Sequence, residues 1–516
     1  MSRTLEQPGI EPGAPRNEHA AALAAAGMPR EARSSMNRTL SHDSLREIQT
    51  RLEQAHKALQ KRYPGPSGGR QPVHVVYGGA HLFRSGTIRR LGEMALRSLE
   101  EYAPNFSVLA KAVGLPGADT LPDSPEAVQA MTRFAEADPQ AMRRENQPAW
   151  LAHTIHRRVR EKLRREAIEA FHIDFEDGYG NRTDEEEDGH AAAAASEVSA
   201  AMMAGELPPF LGIRIKPFSE ELRERSVRTL DIFLTELASK ARGTLPPHFC
   251  VTLPKVTLPD EVAALADLCS RFEPMLGFEP GALRIEIMVE STHAVLNERG
   301  EAHLLQLANA ARGRCVAAHF GPYDYTASRN IAAVHQPTRH FASDFAREMM
   351  QVALASTGIR LADGPTNIMP IPPHRPGKDG PPLAERQLAE NRAAVHRAWR
   401  LHFENIRHSL ASGFYQGWDL HPAQLIPRYA AVYAFFLENL EHASERLRNF
   451  VEKATQATRV GQVFDDAAMA QGLLNYFEQA INCGALTPEE VRGLTGLSEA
   501  ELREGSFAKI SEGRRG

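Results

Sequence analysis

The sequence predicts an α/β protein built on a (β/α)8 TIM barrel with an N-terminal helical extension and a C-terminal helical domain. Two observations carry this. Eight short apolar runs bounded by Gly, Pro or Asp recur along the middle of the chain, each followed by a segment of helical composition. Continuous apolar runs are the mark of parallel strands buried on both faces, and eight of them suit closure into a barrel. The rival, an open doubly wound sheet that binds a dinucleotide, calls for GxGxxG after an early strand, and the sequence lacks it there.

In chain order, residues 1–70 mix a Pro/Gly-bearing start, an Ala-rich patch and a helical stretch from Ser44 to Tyr63, closed by PGPSGGRQP, and form the expected extension. The strands are expected at Val73–Tyr77, Phe171–Phe175, Phe210–Ile215, Phe249–Leu253, Arg284–Val289, Cys315–His319, Ile359–Ala362 and Gly417–Leu420. The barrel then occupies 71–430. Its first two strands lie so far apart that the connection must hold a helical insertion, around 100–170, including Gln147 to Ala170. PIPPHRPGKDGPP between the seventh and eighth strands reads equally as a substrate lid or a surface loop. DEEED at 184–188 opens a helix, its acids near the positive end of the dipole. From 431 to 516 apolar residues fall at three-to-four spacing and LTPEEV resembles a capped helix start, which defines the C-terminal helical domain.

Composition narrows the function. Of 516 residues 42% are hydrophobic and 24% charged, which places the chain among folded globular proteins. The 60 Lys and Arg against 65 Asp and Glu leave a net charge of −5, with no basic block to follow a phosphate backbone, so nucleic acid is not expected as a partner. No apolar run is long enough to span a bilayer, and MSRTLEQPGIEPGAPRNE lacks the apolar core of a signal peptide. Four cysteines, none at CxxC spacing, suggest neither a disulfide framework nor a zinc knuckle. A cytoplasmic protein without a membrane partner is the expectation.

The chemistry is expected at the strand ends. HIDFEDG places Asp174, Glu176 and Asp177 after the second strand; GIRIKP places Arg214 and Lys216 on the third; LPKV places Lys255 after the fourth. IMVEST ends the fifth strand on Glu290, and HFGPYDYT puts Asp324 just after the sixth. Adjacent barrel strands run about 5 Å apart, so Glu290 and Asp324 can face one ion. Two carboxylates without clustered Cys or His suit a hard cation, Mg²⁺ or Mn²⁺. A single strand-end acid is more often a helix cap, but two on neighbouring strands beside an arginine reverse that preference.

The order DFEDG, IRIKP, PKV, ES, GPYD, ADGP and WDLHPAQL resembles the superfamily of citrate lyase β-subunits, malyl-CoA lyases and HpcH/HpaI-type aldolases, over roughly residues 73–430. The resemblance implies a Mg²⁺-dependent carbon–carbon lyase or aldolase that works through a metal-stabilised enolate on a 2-oxo or 2-hydroxy acid or its CoA thioester. It implies metal ligation by Glu290 and Asp324, oxyanion binding by Arg214, and an acidic pair at Glu176 and Asp177 that orients the arginine. Lys255 and His421 join Arg214 as expected substrate contacts. Asp363, Gly364, His421 and Pro422 match further motif positions, which turn chemistry explains equally well. The first strand, VHVVYGGAHLF, departs from the family's Pro-Gly opening and leaves coenzyme A as part of the substrate an open matter. The general base also stays open among Asp465 and Asp466, which malate synthase-like enzymes would bring over the barrel mouth but which read more readily as a helix N-cap pair, His81, and Glu176 acting through a water. Members of the superfamily commonly form homo-oligomers. Two other functions fit a barrel of this kind: an idle barrel that binds an anionic metabolite or a protein, and phosphoenolpyruvate-type phosphotransfer, which ranks last without a GxxxxGK[ST] loop.

Overall fold

A computed structural model describes residues 40, 42–65, 69–377, 381–453, 467–504, 509–510 and 513. The chain divides into two units, 1–63 and 64–516. In the first, the described structure is the helix His42–Arg62, which ends on Lys61 and Arg62, cations that complement the negative end of its dipole.

The second unit is a closed barrel of eight parallel strands in sequential order. They are β1 (His74–Gly79), β2 (Ala170–Asp174), β3 (Phe210–Arg214), β4 (Cys250–Leu253), β5 (Arg284–Val289), β6 (Cys315–Phe320), β7 (Arg360–Asp363) and β8 (Gln416–Asp419). All eight expected runs are strands, with ends shifted by one or two residues at most positions. The apolar side chains Phe171, Ile173, Ile213, Val251, Ile285 and Ile287 are buried in the main core, where the strands meet the surrounding helices. Alternate residues point into the barrel. Val75, Ala170 and Phe210 form a small separate cluster with Tyr77 and Trp418 packed on it. Two residues further along the strands the lining becomes polar, with His172, Thr252, Glu286 and His319 all buried.

The connection from β1 to β2 holds Thr87–Tyr102, Phe106–Val113, Pro125–Ala137, Pro139–Glu145 and Gln147–Arg165. Four of these begin on a side chain that accepts from the helix's own orphan backbone N–H groups: Asn105, Ser124, Asp138 and Asn146. Asp184–Ala204 opens with the capping box of Thr183 and Glu186, so DEEED sits in the first turn. Beyond β8, Leu425–Leu437 is buried almost throughout and packs against Gln147–Arg165 and Glu385–Ala411. Leu440–Lys453, Ala467–Asn482, Pro488–Thr495 and Glu499–Arg503 follow. Thr487 and Glu490 form the capping box that LTPEEV suggests. Among the described residues no helix is long and apolar enough to cross a membrane.

Candidate active site

Register brings the strand-end residues together. Asp174 at the end of β2 pairs with Gly79 of β1 and with Arg214 of β3. The Arg214 guanidinium donates to both Asp174 oxygens, Nε to Oδ1 and Nη2 to Oδ2, each at 2.7 Å. Asp174 is itself held by the backbone N–H groups of Glu176 (3.0 Å) and Gly178 (2.7 Å). The tight return over Asp174 requires a glycine at 178, since a Cβ there would stand 2.6 Å from Oδ2. Tyr77 and Trp418 stack against the guanidinium at 4.8 and 5.3 Å. The remaining edge of Arg214 faces the two acids that follow. Its Nη1 lies 3.1 Å from Glu176 Oε2 and 3.7 Å from Asp177 Oδ2.

Lys255 follows β4 in the left-handed backbone region, at φ 51°. That conformation is unfavourable for a side chain of this size, and here it turns the Lys255 N–H onto Glu290 Oε2 at 2.8 Å. The ammonium pairs with Glu176, lies 3.2 Å from Asp177 Oδ1 and reaches 4.0 Å from Asp324 Oδ1. Lys255 is thus the counter-ion at the centre of four carboxylates.

Glu290 is buried. Burial pushes its carboxyl up to about 7, against the pull of Lys255 and Arg214 and with the help of Asp324 and Glu176. Asp324, in the first turn of the helix Pro322–Ser328, is also raised, chiefly by burial, with Asp177 adding to it. Burial and the neighbouring Asp177 raise Glu176, while Asp177 is held below its ordinary value by a hydrogen bond to Glu176 and by Arg214. Gly321 makes room for Glu290, because a Cβ at 321 would stand 2.4 Å from Glu290 Cγ.

Five carboxylates, Asp174 included, against one ammonium and one guanidinium leave negative charge uncompensated, while burial makes both Glu290 and Asp324 resist ionisation. A divalent cation would relieve this, so the donor set fits Mg²⁺. Among the described residues no third His, Cys, Asp or Glu ligand atom lies close enough to Glu290 and Asp324 to complete an all-protein cage. That suits an ion that keeps several waters.

The other expected residues make contacts of their own. His421 caps the turn Pro422–Gln424, its Nδ1 accepting from Ala423 N–H at 3.2 Å. His81 faces Tyr179 and His190, with ring centroids 5.5 and 6.1 Å away. Asp363 accepts from Arg347 Nε at 2.9 Å and from Gly364 N–H at 2.7 Å, a structural arrangement. Lys216 turns to Glu187 at 2.8 Å. Asp465 and Asp466 lie outside the described residues. Sequence reasoning missed the roles of Tyr77 and Trp418 around Arg214 and of Gly321 beside Glu290. The glycine of GPYD was the available signal for the last of these, but only the fold shows what it clears.

A family model described as "Domain of unknown function (DUF6986)" matches residues 52–510. No curated protein matches the sequence. Among solved structures the chain is similar to a citrate lyase from Burkholderia xenovorans LB400 (18% identity, 66% of this chain and 91% of that one, TM-score 0.46). It is also similar to CitE from Mycobacterium tuberculosis in complex with magnesium, acetoacetate and coenzyme A (15%, 64% and 95%, TM-score 0.39). A third is the Haloferax volcanii malate synthase magnesium/glyoxylate complex (14%, 85% and 96%, TM-score 0.36).

Proposed function

The chain belongs to the DUF6986 family, and we propose that it is a Mg²⁺-dependent carbon–carbon lyase or aldolase acting on a 2-oxo or 2-hydroxy acid or its CoA thioester. The observation that carries this reading is the arginine whose Nε and Nη2 are locked on Asp174 while Nη1 turns to Glu176 and Asp177 just beyond the end of the same strand.

Glu290 and Asp324 would hold the ion. When bound, Mg²⁺ supplies Lewis-acid polarisation of a substrate oxygen and neutralises enolate charge. The protein's own groups do the rest. Arg214, fixed by Asp174 and packed between two aromatic rings, presents a preorganised cation to an oxyanion, an effect worth about 3 kcal/mol per donor lost. Lys255 compensates the acidic cluster and would meet a substrate carboxylate. Glu176, raised by burial and touching Arg214, is the carboxyl best placed to take and return a proton.

The test is calorimetry of Mg²⁺ and oxalate binding, oxalate being a planar mimic of the enolate chelate, on wild type and Glu290→Ala, followed by a turnover screen of 2-oxo acids and CoA esters. Oxalate binding that needs the metal and is lost in the variant supports the reading. Turnover unchanged by Glu290→Ala sinks it, and metal-independent or absent oxalate binding moves the assignment to an idle anion-binding barrel.

A further inference from the structure

One layer below Arg214 the barrel interior holds a group of ligand atoms that this chemistry leaves unused. His172 of β2, Cys250 of β4 and Glu286 of β5 are fully buried and bring one nitrogen, one sulfur and one oxygen within 4.8 Å of one another. His172 Nε2 lies 3.6 Å from Cys250 Sγ and 3.4 Å from Glu286 Oε2. In a tetrahedral zinc site with Zn–N near 2.0 and Zn–S near 2.3 Å, ligand atoms stand about 3.3 to 3.7 Å apart. The two separations fall in that range.

The strand between His172 and Cys250 contributes no side chain. Gly212 of β3 pairs with both, and a Cβ on it would stand 2.7 Å from Cys250 Sγ and 2.9 Å from His172 Nε2. Its φ is not positive, so the backbone does not call for glycine. What glycine provides is space between the two ligand atoms.

Proton placement fits the same picture. Thr252 Oγ1 is 3.1 Å from Glu286 Oε2 and 3.0 Å from His172 Nδ1. A carboxylate only accepts, so the single Thr252 proton goes to Glu286 and His172 Nδ1–H donates to Thr252. With the ring proton at Nδ1, the Nε2 of the neutral imidazole is a lone pair facing the sulfur and the carboxylate. A ring whose second nitrogen is tied to a hydroxyl is the arrangement that orients metal-binding histidines. Beside it His319 Nε2 is buried without a hydrogen-bond partner, 3.5 Å from the same Glu286 oxygen.

We infer that His172, Cys250 and Glu286 form a second metal site, for Zn²⁺ or a similar borderline divalent ion, distinct from the magnesium site proposed at the mouth. The donor set of imidazole, thiolate and carboxylate selects zinc over magnesium. On binding, the Cys250 S–H bond gives way to a zinc–sulfur bond and the proton leaves to solvent; thiolate and carboxylate then balance the two charges of the ion. The site ties β2, β4 and β5 across the glycine gap, and its burial makes loss slow.

The experiment is elemental analysis of the full-length protein refolded with equimolar Zn²⁺ and dialysed against EDTA, paired with Co²⁺ substitution. Roughly one zinc per chain is expected, together with a thiolate-to-cobalt charge-transfer band and the visible bands of tetrahedral cobalt. Cys250→Ser should abolish the charge-transfer band and Gly212→Ala should weaken metal retention, while Cys315→Ser, at a thiol outside the triad, leaves both intact. Folded wild type that retains no zinc and shows no cobalt–thiolate band overturns the inference. So does zinc whose retention depends on Glu290 and not on Cys250, which would place it at the mouth. The readout is metal content and spectrum, so failure of the lyase reading does not affect it.

Discussion

Arg214 and Asp174 face each other from adjacent strands in a two-pronged ion pair, both hydrogen bonds 2.7 Å long and both residues out of contact with solvent. The pair sets which edge of the guanidinium is presented at the mouth. Arg214→Lys keeps the charge but loses the fork, since an ammonium cannot engage both Asp174 oxygens and still reach Glu176. Turnover should fall by about 10²–10³-fold, the usual loss for a preorganised oxyanion donor. Steady-state kinetics on the substrate found in the screen check this, and near-normal turnover of the variant would remove Arg214 from the assigned role.

Gly321→Ala is expected to expel Glu290 from its position, because the added methyl would stand 2.4 Å from Glu290 Cγ. Mg²⁺ affinity should drop at least about tenfold, as for a displaced ligand, with the far-ultraviolet circular dichroism retained. Calorimetric titration with Mg²⁺ reads this out directly.

The Glu290 carboxyl, raised by burial to about 7, gives the metal-free protein a distinct pH dependence. Its folded pKa lies above the unfolded value, so the native state binds the proton more tightly. That stabilisation is complete below about pH 4.5 and is lost as pH rises through about 7, a change on the order of 3 kcal/mol. Thermal unfolding in EDTA should therefore show a decline between pH 5 and 8 that Glu290→Gln removes. Mg²⁺ competes with the proton, so its stabilising effect and its affinity should both grow over the same interval. A wild-type profile with the same slope as Glu290→Gln would contradict the assignment.

Asp419 at the end of β8 accepts from His402 Nε2 and Arg428 Nη2, each at 2.8 Å, with all three residues buried. Burial alone would raise its carboxyl, but Arg428 and His402 hold it far below the ordinary range. Asp419→Ala leaves a buried guanidinium without its partner and should cost about 3–5 kcal/mol, measured by urea unfolding. As a depressed acid, Asp419 contributes stability at neutral pH that is lost on acidification below the ordinary aspartate range.

Much of the barrel was legible because strand burial on both faces leaves a mark in composition: runs such as Phe171–Phe175 and Arg284–Val289 are apolar where the outer helices cover them. Capping is equally local, so Thr183 with Glu186 and Thr487 with Glu490 could be read as helix starts. The acids at strand ends were visible as well, since they stand next to the runs that position them. The buried interior was not. His172, Cys250 and Glu286 are scattered over more than a hundred residues, and nothing in the spacing of the three strands that carry them says that they meet.

By itself the sequence determined the alternation of strands and helices and the set of charged groups at one end of the strands, because hydrophobic period and local turn chemistry are written in neighbouring residues. Only the tertiary structure decided which groups meet. Parallel register across β2, β3 and β4 puts Asp174 beside Arg214 and leaves Gly212 as a gap between His172 and Cys250. The left-handed turn at Lys255 aims its N–H at Glu290. These relations arise from barrel closure and shared burial, which raise or lower a carboxyl's proton affinity according to neighbours that lie far away along the chain.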